Sequence, residues 1–254
     1  MTLSGRDVAL LSAAIVPVIV VFFFFDAYPQ PASYYDFADA RTEFGIANFW
    51  NVASNALFLI FGVAGLYLVL KGEGLATLPE MRAAYIVLFA GISITAFGSG
   101  WFHISPENDT LFWDRLPMTI AFMSLFAIVI GEQISARLGN ALLWPLVLIG
   151  IVSVVYWDYT ESSGAGDLRL YGIVQFLPMI LIPALLLSFR SAFNTIDFFW
   201  VTIGLYILAK LLEHFDRQIF SFGGVISGHS LKHFAASLAP LVLILGMRHR
   251  TRVK

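Results

Sequence analysis

The chain has 254 residues, of which 59% are hydrophobic and 13% are charged, so it is too apolar for a soluble domain. It contains no cysteine, which excludes disulfides, thiolate zinc clusters and a cysteine nucleophile. The net charge of -2 accompanies no basic surface pattern, so no nucleic-acid partner is expected.

Eight apolar segments follow one another along the chain, each close to the ~20 residues with which a helix crosses a bilayer. They cover residues 8–25, 48–70, 83–104, 116–135, 141–157, 170–188, 195–214 and 225–247. We therefore predict an all-α, polytopic transmembrane bundle whose environment is the lipid bilayer. The first segment is followed by residues 26–31 without a clear small-x-small cleavage site, so we expect an uncleaved anchor rather than a signal peptide.

The loop charges predict an orientation. With the N-terminus in the cytoplasm, nine loop cations fall inside and four outside, which favours cytoplasmic N- and C-termini. The inner set is Arg6, Lys71, Arg82, Arg137, Arg190, Arg248, Arg250, Arg252 and Lys254, and the outer set is Arg41, Arg115, Arg169 and Arg217. An outer aromatic belt is then expected from Trp50, Trp101, Trp113 and Trp157.

Three histidines and an aspartate lie at the outer ends of segments that are distant in sequence. His103 ends the third segment, Asp114 precedes the fourth, and His229 and His233 open the eighth. Histidines at i and i+4 share one face of a helix and can bind one metal ion together. Because these groups are expected at similar depth, they indicate a single intramembrane site on the extracytoplasmic side.

Further polar residues belong to the same outer layer. Ser99 lies one helical turn before His103. The candidates for contact with a substrate or with the metal ligands are Asn51, Asn55, Tyr171 and Gln175.

Each of these residues also has a purely structural interpretation. A single membrane-embedded histidine is more often an interhelical hydrogen-bonding group than a ligand, and Asp114 can form an interfacial ion pair with Arg115. Structural roles are also expected for Ser99 and Asn55 in helix packing, for Lys210 with Glu213 as an ion pair, and for Lys232 extending toward lipid headgroups.

Four motifs occur in a specific order and spacing. They are Asn48-Phe49-Trp50-Asn51-Val52-Ala53-Ser54-Asn55, Gly98-Ser99-Gly100-Trp101-Phe102-His103, Trp113-Asp114-Arg115-Leu116-Pro117-Met118 and Gly228-His229-Ser230-Leu231-Lys232-His233. Together they resemble the alkaline ceramidase family, part of a superfamily of seven-helix membrane hydrolases and progestin/adiponectin-type receptors. The resemblance spans about residues 33–247, so we predict an extra transmembrane helix in residues 1–32 and a seven-helix domain in residues 33–254.

The resemblance implies a zinc ion held by His103, His229 and His233. It also implies that Asp114 handles the proton of a zinc-bound water and that Ser99 helps to stabilise the oxyanion. The chemistry is suitable, because three neutral imidazoles leave the fourth zinc position open. The implied activity is hydrolysis of a membrane lipid substrate, ceramide or another N-acyl lipid, to a fatty acid and an amine.

A calcium site is a further implication of the resemblance, and it falls in the acidic segment at residues 35–43. Asp36 and Asp39 are the candidate calcium ligands. Arg41 and Asn48 stand near positions where the family uses further oxygen ligands, and the segment is about two residues shorter. The alternative is a solvated outer loop whose aspartates cap the next helix or pair with Arg41.

Three functions are compatible with these features. A zinc-dependent lipid amidase is favoured by the motifs taken together. A receptor-like member of the same superfamily, with a structural zinc site, is the alternative, although the short inner loops offer little surface for a signalling partner. A transporter is disfavoured, because the inner halves of the segments are apolar and give no continuous polar route.

Overall fold

The fold is a helical bundle, seen in a computed structural model that describes residues 5–253, apart from the side chains of residues 6–8, 10 and 11. Two of the loop cations that predict the orientation, Lys254 and the side chain of Arg6, lie outside the described part. The helices are α1 (Gly5–Phe24), α2 (Phe49–Ala53), α3 (Ala56–Lys71), α4 (Arg82–Ile104), α5 (Asn108–Gln133), α6 (Ala136–Ser162), α7 (Arg169–Ser188), α8 (Asp197–His214), α9 (Asp216–Gly223) and α10 (Gly228–His249). Only isolated β-bridges occur among the described residues, so the all-α fold class is confirmed.

Seven helical stretches match the second to eighth predicted segments. Six helical stretches of the described residues, with α2 and α3 taken as one, are long and apolar enough to cross a membrane, and α8 with α9, bent by 70°, gives a seventh. The first predicted segment is α1, which packs against α7. Arg169, at the start of α7, donates a hydrogen bond of 2.8 Å to the carbonyl of Phe25, just beyond α1. The division into an extra transmembrane helix in residues 1–32 and a seven-helix domain in residues 33–254 stays a prediction.

The second segment is broken into α2 and α3 by side chains that compete with the backbone. The amide of Asn55 donates to the carbonyl of Asn51 at 2.7 Å, and the hydroxyl of Ser54 donates to the same carbonyl at 3.2 Å. The backbone amide of Asn55 therefore bonds the carbonyl of Val52 instead, at 3.1 Å. Short polar side chains often shift a helix in this way, and here they turn the polar start of the span toward the bundle interior.

Helix α4 lies at the centre of the bundle, between α3 and α5. Gly98 of α4 approaches α5 so closely that a Cβ atom there would lie 2.1 Å from the carbonyl oxygen of Trp113. This contact fixes α4 against α5 at the level where Ser99 follows on one helix and Asp114 on the other. We call this end of the bundle the His end, because it also contains His103.

The opposite end is closed by a buried ion pair. Arg250, just after α10, donates to both carboxylate oxygens of Glu132 at 2.6 and 2.7 Å, and both side chains are fully buried. The hydroxyl of Tyr85 donates to the same carboxylate at 2.5 Å. Removing one partner of a buried pair costs about 3–5 kcal/mol, so this network anchors the C-terminal segment to α4 and α5.

Replacing Gly98 by alanine should destabilise the bundle by about 1–3 kcal/mol, because the new methyl group collides with backbone that cannot move locally. Gly100→Ala is the matched control, since its Cβ would meet nothing within 4 Å on the same helix. Thermal unfolding in detergent should show a lower midpoint for Gly98→Ala than for Gly100→Ala. Equal midpoints would contradict the close approach of α4 and α5.

Candidate metal centre and cavity

The three histidines that are predicted to bind zinc lie close together. His103 comes from the end of α4, and His229 and His233 come from the first turns of α10. One ligand atom of each lies within 4.8 Å of the others, and all three side chains are buried. Among the described residues this is the group of His, Asp and Glu side chains arranged to hold a metal ion.

The imidazole of His233 is oriented by α2. Its Nδ1 lies 2.8 Å from the hydroxyl of Ser54, and that hydroxyl donates its hydrogen to the carbonyl of Asn51. With its hydrogen on that carbonyl, Ser54 accepts from Nδ1–H of His233, and this tautomer of His233 has its lone pair on Nε2. A hydrogen bond to the second ring nitrogen is the usual way in which a metal-binding histidine is oriented.

Two of the three histidines have the nitrogen spacing of a shared metal ion. Nε2 of His233 lies 3.3 Å from Nε2 of His103. Two nitrogens bound to a tetrahedral zinc at about 2.0–2.1 Å lie about 3.3 Å apart. Nδ1 of His103 is buried and has no hydrogen-bond partner among the described residues. Three neutral imidazoles without a thiolate are a donor set that suits zinc and leaves a coordination position open.

The third histidine contacts a buried cation. The ammonium group of Lys232 lies 3.0 Å from Nε2 of His229 and 3.0 Å from a carboxylate oxygen of Glu213. Lys210 pairs with Glu213 at 2.6 Å, as expected. The prediction that Lys232 extends toward headgroups was wrong, because the carboxylate of Glu213 holds it inside the bundle, where its side chain is 16% exposed.

Asp216 positions the start of α10 and was missed by sequence reasoning. One carboxylate oxygen accepts from the backbone amide of His229 at 2.7 Å, and the other accepts from the amide of Ala38 at 2.9 Å. The same loop places Phe37 edge-on against His103 and His229, each with ring centroids 4.8 Å apart. The signal that could have identified Asp216 is its place, as an acidic residue directly after the bend between α8 and α9. Nothing in the sequence indicated which backbone amides it accepts from.

An internal cavity of about 240 Å³ extends from the histidines into the bundle. At the His end its wall is polar, and deeper in the bundle it is mainly apolar. The polar wall consists of Tyr34, Ser99, Asp114, Arg115, Tyr171, Gln175, Tyr206, Lys210, Glu213, Lys232 and His233, and the deeper wall includes Phe58, Leu88, Ile92, Phe122, Leu125, Met179, Ile182, Phe199, Ile203 and Leu243. Tyr171 and Gln175 are thus placed where a bound molecule would contact them.

A second pocket of about 290 Å³ lies on the outer side of the same histidines. His229 and Asp216 line it, whereas His233 lines the internal cavity. Tyr34 and Glu213 contribute to both walls. The histidine cluster therefore lies between an apolar internal space and a more polar space at the end of the bundle.

Asp114 is buried beside the hydroxyl of Ser99, which lies within hydrogen-bonding reach of the carboxyl. The ion pair with Arg115 that was considered above does not form among the described residues. Instead, Arg115 stacks on Trp157, with its guanidinium carbon 4.2 Å from the ring centroid. The belt prediction for Trp157 was therefore wrong, since this side chain is fully buried, whereas Trp101 and Trp113 are about half exposed.

Asn51 and Asn55 do not line the internal cavity. Asn51 donates to the carbonyl of Asp39 at 3.3 Å and accepts from the hydroxyl of Ser230 at 2.7 Å. Asn48 donates to the carbonyl of His103 at 2.8 Å. These amides connect α2 to α4 and α10, so their contribution to the site is to fix the helices that carry the histidines.

The two candidate calcium ligands are bound to different arginines. Asp39 pairs with Arg41 at 2.6 Å, and Asp36 pairs with Arg217. Burial raises the pKa of Asp39, but the hydrogen bonds from Arg41 outweigh it and hold the pKa below its ordinary value. The carboxylate is therefore ionised and already neutralised by Arg41. Calcium binding stays a prediction, and this geometry favours the alternative of a loop stabilised by ion pairs.

Comparison with known proteins shows which family the chain resembles. The family model described as Ceramidase matches residues 40–249, which is most of the chain. Over 140 residues the chain is 24% identical to a Dictyostelium discoideum protein named "Putative alkaline ceramidase dcd3A". That match covers 48% of this chain and 49% of the other protein, so this chain spans about half the length of the curated relative it matches.

Ser54→Ala should weaken zinc binding about 10–100-fold, because the acceptor that orients His233 is lost while all three imidazoles remain. Ser124→Ala is the control, since Ser124 bonds only the carbonyl of Ile120 in its own helix. Chelator competition with metal analysis would measure both affinities. Equal affinities in the two variants would show that Ser54 does not orient the ligand.

Proposed function

The chain belongs to the ceramidase family, and we propose that it hydrolyses the amide bond of ceramide or a related N-acyl lipid, using zinc held by His103, His229 and His233. The position of the histidine cluster between the two cavities carries this proposal. The apolar depth of the internal cavity suits an acyl chain, its polar wall at the His end suits the amide group and the amine portion, and the outer pocket suits water. Hydrolysis of a lipid amide needs both environments at one point.

A zinc ion at this site supplies Lewis acidity, which polarises the amide carbonyl and makes water more acidic. A carboxylate oxygen of Asp114 takes a proton as water attacks the carbonyl carbon. The same oxygen then returns the proton to the amide nitrogen, which leaves as an amine when the C–N bond breaks. Asp114 is suited to this role because no ion pair with Arg115 competes for its oxygens.

Ser99 has one hydroxyl hydrogen, which can be donated first to the carboxylate of Asp114 and then to the oxyanion. While Asp114 is ionised, its carboxylate is one acceptor within reach of the Ser99 hydroxyl. After the carboxyl has taken the proton, the hydroxyl is free to donate to the oxyanion on the carbonyl carbon. Such a donor contributes about 3–4 kcal/mol to the transition state in known oxyanion holes.

Catalysis is favoured over the receptor-like alternative by the loops at the end opposite the histidines. The connections there are residues 72–81, 134–135 and 189–196, none longer than ten residues, which leaves little surface for a signalling partner. The C-terminal segment at the same end is tied to α5 through Arg250 and Glu132. If zinc-loaded protein hydrolysed no N-acyl lipid, the receptor-like function would be preferred.

Asp114→Asn should retain zinc and lose at least about 100-fold in kcat, because the amide cannot accept the proton. Asp109→Asn, on an exposed residue in the first turn of the same helix, should keep both properties. The assay follows fatty-acid release from C16 ceramide in mixed micelles, with zinc content measured in parallel. Full turnover by Asp114→Asn would remove Asp114 from proton transfer.

We further propose that both termini are cytoplasmic, so that the His end faces the extracytoplasmic side. Since the chain has no cysteine, single cysteines can report on the two ends. Ser163→Cys, exposed beyond α6 at the His end, should react in intact cells with a thiol reagent that cannot cross the membrane. Val253→Cys, exposed at the opposite end, should react only after permeabilisation. The reverse pattern would contradict the orientation.

A further inference from the structure

Arg115 is a buried cation with free hydrogen-bond donors. Its side chain donates from Nη2 to the amide oxygen of Gln30 at 2.6 Å, while Nε and Nη1 have no partner among the described residues. Among the described residues Arg115 forms no salt bridge, although only 4% of its surface is exposed. Arginine is always charged in proteins, so a buried guanidinium with unused donors indicates a missing anionic partner.

Aromatic rings hold this guanidinium in place. Its carbon lies 4.2 Å from the ring centroid of Trp157, 4.4 Å from that of Tyr171 and 5.6 Å from that of Tyr34. Stacking uses the faces of the planar group and leaves its edges to form hydrogen bonds. Arg115 is one of the residues that line the internal cavity, so a molecule bound there can reach it.

The charges around the cavity point to the same partner. Its wall contains three cations, Arg115, Lys210 and Lys232, and two carboxylates, Asp114 and Glu213. Glu213 is bound by both lysines, at 2.6 and 3.0 Å. The wall therefore carries one more cation than carboxylates before any metal is bound, which favours an anionic ligand.

We propose that Arg115 selects N-acyl lipids whose amine portion carries a carboxylate close to the amide bond, as in an N-acyl amino acid. This inference rests on the proposed hydrolase function and specifies its substrate class. The guanidinium fork matches a carboxylate in a two-point contact. In an N-acyl amino acid the carboxylate is two bonds from the amide nitrogen, and Arg115 is the neighbour of the proposed proton carrier, Asp114. Water adds to the carbonyl carbon, the C–N bond breaks, and a fatty acid and a free amino acid result.

The test compares N-palmitoylglycine with N-palmitoylethanolamine, which replaces the carboxylate by a neutral alcohol. Wild-type protein loaded with zinc should favour the glycine conjugate at least 10-fold in kcat/KM. Arg115→Gln should lower the ratio of the two kcat/KM values about 10–100-fold, the range expected for one charge-assisted contact. Arg115→Lys should restore part of it. Arg82→Gln, an exposed arginine at the opposite end, should leave the ratio unchanged.

Three outcomes would overturn the inference. The first is equal wild-type kcat/KM for the two conjugates, and the second is an equal loss of kcat/KM on both in Arg115→Gln. The third concerns palmitate, the fatty-acid product, added as an inhibitor: Arg115→Gln loses the inhibition seen with the wild type while the ratio of the two kcat/KM values is unchanged. The last would assign Arg115 to the fatty-acid product. The wild-type ratio is decisive even if the variants do not fold.

Binding separates this inference from the proposed function. Asp114→Asn protein should bind N-palmitoylglycine more tightly than the ethanolamide, and Arg115→Gln in that background should remove the difference. Such selective binding without hydrolysis by the wild type would support the anion site and contradict the hydrolase. Hydrolysis that does not depend on Arg115 would support the hydrolase and contradict the anion site.

Discussion

Three imidazoles inside an apolar bundle require hydrogen-bond or metal partners, because lipid offers none. Side chains from other parts of the chain bond one of these imidazoles and the backbone of the other two histidines. Ser54 orients His233, and Asp216 accepts from the backbone of His229. Asn48 donates to the carbonyl of His103 at the end of α4. The three buried imidazoles converge, with one ligand atom of each within 4.8 Å of the others, which is an arrangement that a metal ion can stabilise.

Irregular backbone occurs where it serves this centre. The break between α2 and α3 turns Asn51 and Ser54 inward, and the 70° bend between α8 and α9 brings Asp216 to the start of α10. In a membrane protein such departures from helix are tolerated when protein surrounds the freed polar groups. The close approach at Gly98 then sets Ser99 and Asp114 on facing helices. The site thus depends on the packing of the whole His end.

The sequence predicted the helices and the histidine cluster because both leave local signals. Apolar length indicates the spans, and His229 and His233 at i and i+4 share a helical face. It did not predict Lys232 and Trp157 correctly, since both are general membrane-interface residue types whose places depend on distant partners. Lys232 is held by Glu213 from α8, and Trp157 is covered by Arg115 from α5. Asp216 was missed because no short-range pattern relates it to Ala38, 178 residues away.

The proposed function depends on the buried histidines forming a hydrolytic zinc centre for lipid amides. The most direct measurement incubates native membrane lipid extract with zinc-loaded wild-type protein and, in parallel, with folded His103→Ala protein. Untargeted mass spectrometry then follows every lipid. We predict that the wild type alone removes an N-acyl lipid and releases the matching fatty acid. Identical lipid profiles, with zinc present in the wild type, would contradict the account.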